Sequence, residues 1–475
     1  MTDKIKFGTD GWRAVIAKEF TFENVRRVGK AIALYLKKHG KDNRPLIIGY
    51  DPRFMAEDFA ATIAELCAAA GIHVLITEKD TPTPVVAFSV KDKKACGAVM
   101  LTASHNPPEY LGIKFIPEYA GPASPEIAKE IEELSNSPVD IAPVSGGKIE
   151  NFDPGGAYEK YITKFVDFEA IRKAKLNIVY DPMHGSGRVI LSDLLRKVAG
   201  KLTVLNDSRD VLFGGKNPEP AEKNLEGLSK KVLELKADLG LATDGDADRF
   251  GVVDPRGSFL SPNQVISLVF WYLIEHKKYS GSVVRSLATT HMIDRIAQRH
   301  NIEVHETPVG FKYIAEIMLK EDVIIGGEES GGLSVKGHIP EKDGLLADLL
   351  VAEMVAKTKK SVDQLWADLV SKYGDCVGEK VNLPISTRDK EKLVRFLKES
   401  APEMLGGQTV IKKLDTDGVK LFLEDGGWIA VRLSGTEDLA RVYFESGSEK
   451  GVEAIEKDFG RILQGLIGKI CRRDE

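Results

Sequence analysis

A short apolar run meets a polar loop in Gly97-Ala-Val-Met-Leu-Thr-Ala-Ser-His-Asn-Pro107, and this junction decides the fold. The same junction recurs in Ala237-Asp-Leu-Gly-Leu-Ala-Thr-Asp-Gly-Asp-Ala-Asp-Arg249 and in Asp322-Val-Ile-Ile-Gly-Gly-Glu-Glu-Ser-Gly-Gly332. Each apolar run has the length and composition of a buried strand. In open α/β sheets, ligands bind beyond the carboxyl ends of the strands. We therefore expect the three loops to form three walls of one cleft.

Each junction closes a longer repeated unit. A unit begins with a short β-branched run, at 46–50, 177–180 and 282–285. A helical stretch follows, and then a second strand, at 73–76, 202–205 and 302–305. The repeat predicts three similar α/β domains. Three unrelated turns are the alternative, because glycine, asparagine and aspartate favour turns in any fold.

The chain changes character from about Tyr373. Short strands with hairpin-like turns follow at 410–414, 419–423, 428–433 and 441–444, with amphipathic helices at 390–399 and 451–467. This pattern predicts an α+β domain with an antiparallel sheet. The predicted fold class is therefore α/β: three similar α/β domains with mixed sheets around a central cleft, plus this C-terminal domain. We expect domains at 1–150, 151–258, 259–372 and 373–475, with a Pro- and Gly-rich linker at 136–156.

Charge and cysteine usage exclude several function classes. Lys plus Arg (66) nearly balances Asp plus Glu (71), and a net charge of −5 gives no electrostatic case for a nucleic-acid or membrane partner. The four cysteines are scattered without the spacing of a zinc site. The opening residues Met1 to Phe7 alternate charged and apolar side chains, unlike a signal peptide. We expect a cytoplasmic protein, whose oligomeric state the sequence leaves open.

The second loop carries three aspartates at alternate positions, Asp244, Asp246 and Asp248. Their carboxylates repel one another unless a cation shares them, and oxygen ligands of this kind suit Mg²⁺. The loop is not an EF-hand, because its sixth and twelfth positions are Arg249 and Pro255. A solvated acidic turn is the alternative, but it does not explain the apolar strands on both sides. The sequence therefore favours a magnesium site.

Ser104 in the first loop is the candidate nucleophile. No G-x-S-x-G elbow surrounds it, which disfavours a serine hydrolase. Its neighbour His105 should point away from it, because adjacent side chains of an extended segment point apart. A phosphate on Ser104 would bring about −1.5 to −2 charge and would need the cation that the aspartate loop holds. We therefore expect a phosphoserine in contact with Mg²⁺; an ordinary loop serine is the alternative.

Two further loops offer groups that bind sugars and phosphates. The loop at Glu328-Glu-Ser-Gly-Gly combines acceptors and a hydroxyl on a flexible backbone, as needed to bind vicinal sugar hydroxyls. In the last domain, Arg432-Leu-Ser-Gly-Thr places an arginine, two hydroxyls and backbone donors after a strand. Such a group can bind an anion, although a capped turn is an equal alternative.

The chain resembles the α-D-phosphohexomutases, in particular the bacterial phosphoglucomutase/phosphomannomutase type, over essentially its whole length. Four motifs carry the resemblance in the family's order: Thr102-Ala-Ser-His-Asn-Pro, Asp244-Gly-Asp-Ala-Asp-Arg, Gly327-Glu-Glu-Ser-Gly and Arg432-Leu-Ser-Gly-Thr-Glu. The resemblance implies an intramolecular phosphotransferase that interconverts hexose 1-phosphate and hexose 6-phosphate. It also implies Mg²⁺, a hexose 1,6-bisphosphate activator and a small-molecule hexose phosphate as partner.

The resemblance also implies the roles of individual residues. Ser104 is the phosphoserine, and Mg²⁺ is bound by a phosphoserine oxygen with Asp244, Asp246 and Asp248. Glu328 and Ser330 bind sugar hydroxyls. The non-reacting phosphate is bound by Arg432, Ser434, Gly435 and Thr436. The remaining catalytic residues are Arg13, His105, Lys114, Arg249 and Lys342. Which of Lys114, His105 and Lys342 is the general base stays open.

Several functions compete at this point. The mutase is the main hypothesis, and the Glu-Glu-Ser form of the sugar loop looks more like that of glucose-preferring mutases. A phosphomannomutase or phosphoglucosamine mutase is the first alternative. A sugar-phosphate phosphatase and a non-catalytic sugar-phosphate sensor are the others. The sugar loop and second phosphate site argue against a phosphatase, and the intact Ser104 and aspartates argue against a sensor.

Overall fold

The computed structural model describes residues 4–8, 10–138, 146–433 and 438–467. The chain divides into two compact units. Unit 1 comprises Met1–Val284 and Gly310–Leu365, and unit 2 comprises Arg285–Val309 and Trp366–Glu475. Among the described residues, no helix has both the length and the apolar character needed to cross a membrane.

The first sheet has six strands in the order β1-β5-β4-β2-β3-β6. Its elements are β1 (Trp12–Val15), α1 (Phe22–Lys38), β2 (Leu46–Tyr50), α2 (Ala56–Ala69), β3 (Val74–Thr77), α3 (Thr83–Asp92), β4 (Gly97–Leu101), β5 (Tyr110–Pro117), α4 (Pro125–Ser135) and β6 (Ile149–Phe152). Strands β2, β3, β4 and β6 run parallel, whereas β5 and β1 are antiparallel to their neighbours.

The linker prediction at 136–156 is wrong for its second half. Residues 149–152 form the edge strand β6, which pairs with β3, and α5 begins at Gly155. The side chains of Ile149, Glu150 and Asn151 are exposed, so β6 is held by backbone hydrogen bonds and gives no apolar signal. Part of the predicted linker, 139–145, lies outside the described residues.

The second sheet has five strands in the order β11-β10-β9-β7-β8. Its elements are α5 (Gly155–Ile162), α6 (Phe168–Ala174), β7 (Asn177–Asp181), α7 (Gly187–Val198), β8 (Lys201–Val204), α8 (Glu226–Leu235), β9 (Leu239–Thr243), β10 (Phe250–Val253) and β11 (Phe259–Leu260). The core strands β7 and β9 are parallel, and β10 returns antiparallel to β9.

The third group of elements is built on a four-stranded sheet. Its elements are α9 (Pro262–Glu275), β12 (Ser282–Ser286), α10 (Met292–Arg299), β13 (Val304–Thr307), α11 (Phe311–Met318), β14 (Val323–Glu328), β15 (Gly332–Val335), α12 (Gly344–Thr358) and α13 (Val362–Tyr373). Helix α9 starts at a capping box, in which the side chains of Ser261 and Gln264 each accept from the other's backbone N–H. In unit 1, β14 pairs antiparallel with β15.

The last sheet has six antiparallel strands in the order β16-β21-β20-β19-β18-β17. Its elements are β16 (Val377–Pro384), α14 (Thr387–Glu399), β17 (Met404–Leu405), β18 (Gln408–Leu414), β19 (Val419–Leu423), β20 (Trp428–Leu433), β21 (Leu439–Ser446) and α15 (Glu449–Ile467). Residues of α14 and α15 pack with the sheet into one apolar core. Three mixed sheets and a C-terminal antiparallel sheet confirm the predicted fold class, whereas the domain boundaries stay a prediction.

One local plan positions the candidate site. Strands β4, β9 and β14 are fully buried, and each is followed by an antiparallel neighbour, β5, β10 or β15. The three polar loops are therefore the turns of three hairpins. The sequence indicated the strands before the loops, but the return strands β5 and β15 were not predicted. Each loop begins at the carboxyl end of a buried strand, where its side chains are close to the sheet and fixed in position.

Candidate active site

The serine of the first hairpin meets the aspartates of the second. The Ser104 hydroxyl donates a hydrogen bond of 2.9 Å to Asp244 Oδ2, and both residues are buried. The two loops also touch through their backbones, since a Cβ placed on Gly245 would lie 2.7 Å from the Ser104 carbonyl oxygen. Only glycine permits this approach. The structure thus brings the predicted nucleophile and the predicted metal loop into one site.

The three aspartates form a site that fits a divalent cation. Asp244, Asp246 and Asp248 are buried and offer carboxylate oxygens within 4.8 Å of one another. Asp246 Oδ1 and Asp248 Oδ1 are buried without a hydrogen-bond partner among the described residues. Burial, together with the charges of Asp246 and Asp248, raises the pKa of Asp244 well above its usual range. Oxygen donors that are close, buried and partly unpartnered are those that Mg²⁺ binds.

Two lysines partly balance these carboxylates. Lys114 Nζ lies 3.0 Å from Asp246 Oδ2 and 3.2 Å from Asp248 Oδ2, and Lys342 Nζ lies 2.6 Å from Asp248 Oδ2. Burial would lower the pKa of each lysine, but the neighbouring carboxylates outweigh it, so the pKa of Lys114 is raised well above its usual value and that of Lys342 is also raised. Both side chains are therefore held as cations, suited to donate hydrogen bonds to anionic oxygens.

Asp10 is a site residue that the sequence analysis missed. Its Oδ2 lies 3.0 Å from Lys114 Nζ and 3.9 Å from a guanidinium nitrogen of Arg13. Burial raises the pKa of Asp10, but Lys114, Lys342 and Arg13 outweigh it and lower the pKa to about 2. Arg13 also donates a bond of 2.6 Å to the side-chain oxygen of Asn106, in the loop between β4 and β5 that carries Ser104 (the serine loop). The signal was available, because Asp10 precedes Arg13 in the motif Gly8-Thr-Asp-Gly-Trp-Arg.

The expected direction of His105 is wrong. Its Nδ1 lies 3.3 Å from Ser104 Oγ, within reach of a hydrogen bond. The expectation assumed an extended segment, whereas Ser104 adopts a left-handed backbone conformation with φ of 51°. Burial, followed by the charges of Arg249 and Arg13, lowers the pKa of His105 well below its usual value. His105 is therefore a neutral imidazole beside the serine hydroxyl.

Arg249 closes the metal loop. Its backbone N–H donates a bond of 3.0 Å to Asp244 Oδ1, and its guanidinium lies 3.4 Å from Glu219. Burial lowers the pKa of Arg249, but the charges of Asp244 and Asp248 outweigh it and raise the pKa. Its backbone thus orients one aspartate while its side chain adds a cation to the site.

The third hairpin carries the predicted sugar loop. Glu328 ends β14, where its Oε1 accepts a bond of 2.7 Å from the Gly310 N–H. Burial, followed by the charge of Glu329, raises the pKa of Glu328 to about 7. Ser330 lies half-buried in the turn that follows. A Cβ on Gly332 would lie 2.4 Å from the Lys342 side chain, which itself reaches Asp248, so the sugar loop adjoins the metal loop.

Thr83 is a second contact that the sequence analysis missed. Its hydroxyl donates a bond of 2.7 Å to Asp246 Oδ2, and its N–H donates one of 2.9 Å to the Asp246 carbonyl. The residue opens α3 in the run Thr81-Pro-Thr-Pro84. Nothing in that run points to a loop 163 positions further along the chain. Only the packing of the first sheet's helix against the second sheet's loop reveals the contact.

The predicted phosphate-binding loop belongs to unit 2. Arg432 lies near the end of β20, and its Nε donates a bond of 2.8 Å to Asp417 Oδ2. Ser434, Gly435 and Thr436 lie outside the described residues. The phosphate site therefore stays a prediction.

Four family models match successive parts of the chain. They describe domains of phosphoglucomutase/phosphomannomutase: alpha/beta/alpha domain I over 4–139, domain II over 156–257, domain III over 261–373 and the C-terminal domain over 382–461. Together they cover most of the chain.

Whole proteins match it along nearly their full length. A phosphoglucomutase/phosphomannomutase of Thermococcus kodakarensis is 33% identical, with 97% of this chain and 99% of the relative covered. A probable phosphoglucosamine mutase of Methanosphaera stadtmanae is 31% identical, with 97% and 98% covered. The crystal structure of a putative phosphomannomutase from Thermus thermophilus is 34% identical and superposes with a TM-score of 0.87, with 98% and 100% covered.

Proposed function

Because the chain belongs to the phosphoglucomutase/phosphomannomutase family of the α-D-phosphohexomutase superfamily, whose members are mutases that transfer phosphoryl groups, we propose that it interconverts hexose 1-phosphate and hexose 6-phosphate through a phosphoserine at Ser104. A hexose 1,6-bisphosphate is the intermediate, and added bisphosphate activates the enzyme. The observation that carries the proposal is the 2.9 Å contact between Ser104 Oγ and Asp244, inside a buried cluster of carboxylates and cations.

The charges of the site support a phosphoserine. Four cationic side chains belong to the site around Ser104, those of Arg13, Lys114, Arg249 and Lys342. Four carboxylates face them, those of Asp10, Asp244, Asp246 and Asp248. A phosphoryl group on Ser104 adds about −1.5 to −2 charge, and one divalent cation offsets it. The phosphorylated, metal-loaded site is therefore close to neutral, which a buried site requires.

Asp244, Asp246 and Asp248, with a phosphoryl oxygen on Ser104, would hold Mg²⁺. When bound, the ion supplies charge neutralisation for the phosphoryl oxygens. The chain's own cations add to this effect, since Arg13 and Arg249 are held beside the serine loop and the metal loop.

His105 is suited to carry the proton of the Ser104 hydroxyl. Its neutral imidazole can accept that proton when Ser104 attacks a phosphate of the bisphosphate, and can return it when Ser104 leaves. Lys114 and Lys342 are protonated and serve as donors to the substrate oxygens. The residue that accepts the proton of the attacking sugar hydroxyl is left open; Lys114 or Lys342 could do so only after losing its own proton, and pH–rate profiles of single variants of His105, Lys114 and Lys342 would identify it.

The sugar and the second phosphate are assigned to the two remaining loops. Glu328 and Ser330 bind sugar hydroxyls, and Arg432 with Ser434, Gly435 and Thr436 binds the phosphate that does not react. We propose glucose as the preferred sugar, on the Glu-Glu-Ser form of the loop. Phosphomannomutase and phosphoglucosamine mutase activities are the alternatives, since relatives bear both names.

One assay tests the proposal. The protein is incubated with glucose 1-phosphate, Mg²⁺ and a trace of glucose 1,6-bisphosphate, and glucose 6-phosphate is measured. Release of free phosphate would indicate a phosphatase instead, and no turnover with any hexose phosphate would favour a sensor. Parallel rates with mannose 1-phosphate and glucosamine 1-phosphate decide the sugar preference; a higher kcat/KM for either would overturn the glucose assignment.

A further inference from the structure

The serine loop is organised around one buried arginine, Arg53. Its side chain is completely buried, and it follows β2 in the run Asp51-Pro-Arg53. The guanidinium donates four bonds to backbone carbonyls, to Ser104 O and Asn106 O at 2.7 Å, Pro107 O at 2.7 Å and Tyr110 O at 2.9 Å. All four acceptors lie between the nucleophile and the first residue of β5. The arginine therefore binds the loop itself rather than the apolar core of the sheet.

Asp51 extends this arrangement to the other side of Ser104. It is buried and accepts a bond of 3.1 Å from Arg53 Nε. It also accepts a bond of 2.6 Å from the Thr102 hydroxyl. The Thr102 oxygen in turn accepts a bond of 2.8 Å from the Ser104 N–H. The N–H of Ser104 is thus fixed through Thr102, while its carbonyl is fixed by Arg53.

The conformation of Ser104 explains why so many bonds are needed. Its φ of 51° lies in the left-handed region, which is unfavourable for every residue except glycine and, to a lesser degree, asparagine and aspartate. In an extended segment the side chains of Ser104 and His105 would point apart. In the observed conformation, Ser104 Oγ lies within hydrogen-bonding reach of both Asp244 Oδ2 and His105 Nδ1.

We propose that Arg53, acting with Asp51 and Thr102, is the positioning residue that fixes Ser104 for phosphoryl transfer. This inference rests on the proposed role of Ser104 as the phosphate carrier. A buried guanidinium is costly to desolvate, and here that cost is offset by one carboxylate and by carbonyls of a single loop. The ring of Phe213 packs against the guanidinium, with the cation 4.9 Å from the ring centroid, and excludes water from it.

Two variants and one control test the inference. Arg53→Lys keeps the charge but cannot reach four carbonyls at once, because an ammonium lacks the planar fork of a guanidinium. Thr102→Val keeps the volume and removes the bond to the Ser104 N–H. Arg285→Lys is the matched control: Arg285 is also buried and ion-paired, but its partners Asp294 and Glu306 belong to unit 2.

Two measurements are made on the full-length protein. Hydrogen exchange followed by mass spectrometry reports the order of the segment 102–110 without requiring any activity. Steady-state assays with the three sugar 1-phosphates, together with transfer of phosphate from glucose 1,6-bisphosphate to Ser104, report the chemistry. We expect Arg53→Lys to raise exchange in this segment about tenfold and to lower kcat about 100-fold, with KM changed less than about threefold. Thr102→Val should show the same pattern with about a tenfold loss of kcat, and Arg285→Lys should leave both readouts unchanged.

The outcomes separate the two proposals. If Thr102→Val and Arg53→Lys both show the hydrogen exchange and the kcat of the wild type, Arg53 does not position Ser104. The inference also fails if exchange rises evenly along the chain, or if Arg285→Lys lowers kcat as much as Arg53→Lys, since the effect would then be general destabilisation. Should Arg53→Lys not fold, Thr102→Val decides. If the wild type never carries phosphate on Ser104, the proposed function fails, while exchange in the segment still shows whether Arg53 orders the loop.

Discussion

The serine loop and the aspartate loop are built alike but stabilised differently. Both follow a buried strand, both turn back into an antiparallel strand, and both contain a left-handed non-glycine residue, Ser104 or Ala247. In the serine loop, four backbone carbonyl oxygens accept hydrogen bonds from Arg53. The aspartate loop keeps two buried carboxylate oxygens without a partner among the described residues. The four carbonyls of the first loop are thus paired within the protein, whereas the second loop has carboxylate oxygens available for a ligand.

The largest expected effect comes from removing the reacting group of the first loop. Ser104→Ala leaves the bonds of Arg53 to the loop backbone intact, so the fold should be retained. We expect kcat to fall on the order of 10⁴-fold or more, because no other hydroxyl occupies that position. Steady-state assay and mass spectrometry of the isolated protein provide the test. A kcat within tenfold of that of the wild type would show that another residue is the nucleophile.

A smaller effect is expected when one carboxylate of the second loop loses its charge. Asp246→Asn should weaken Mg²⁺ binding at least about 100-fold, because the loop then offers one charge fewer. A bound ligand raises the free energy of unfolding by about 2.7 kcal/mol at 100 times its Kd, so Mg²⁺ should raise the Tm of wild type but not of the variant.

Thermal unfolding with Mg²⁺ and with chelator gives the comparison. Asp193→Asn is the control, since Asp193 is an exposed aspartate of the same sheet's helix α7, paired with Arg196. A Tm rise of equal size in wild type and in Asp246→Asn would contradict the metal assignment.

The third loop, which carries Glu328, can be distinguished from the other two by the pH dependence of the free energy of unfolding. The pKa of Glu328 is raised to about 7, so between its ordinary value near 4.5 and 7 the folded protein holds a proton that the unfolded chain releases. The free energy of unfolding should therefore fall as pH rises through this window, by a few kcal/mol at most. Glu328→Gln removes this titration and should make the fall in stability with pH less steep. Urea unfolding of both proteins from pH 4 to 8 measures it; parallel profiles would show that Glu328 does not titrate there.

The smallest effect is expected from Thr83, whose hydroxyl donates a hydrogen bond to Asp246 of the second loop. Thr83→Val removes the hydroxyl bond to Asp246 and should cost about 1–2 kcal/mol of stability, with only a few-fold loss in Mg²⁺ affinity. Thr62→Val is the control, because the Thr62 hydroxyl donates a solvent-exposed bond to the Asp58 carbonyl of its own helix, α2. If Thr83→Val weakened Mg²⁺ binding as strongly as Asp246→Asn, the conformation of the loop rather than its carboxylate oxygens would determine the affinity for Mg²⁺.

The sequence predicted the three loops because local signals mark them. Buried strands such as Gly97–Leu101 are recognisable from composition, and the residues that follow a strand must lie at its end. The meeting of Ser104 with the aspartates followed from that rule alone. The contacts of Arg53 and Thr83 could not be predicted in this way, because their partners are distant in the chain and are fixed by packing.

Backbone conformation accounts for the other errors. The orientation of His105 depends on one dihedral angle of Ser104, which the tertiary contacts of Arg53 impose against local preference. Edge strand β6 has exposed side chains and is defined only by the strand beside it. Both features depend on neighbours that a local pattern does not contain.

The first hairpin has a consequence for insertions. In the pairing of β1 with β5, the return strand of this hairpin, Arg13 lies opposite Gly112, and a Cβ on Gly112 would lie 2.9 Å from the Arg13 side chain. Lys114 lies two residues beyond Gly112, on the same face. One residue added within β5 between Gly112 and Lys114 would therefore turn the lysine to the opposite face of the sheet. Such an insertion should therefore abolish the contacts of Lys114 with Asp246 and Asp248.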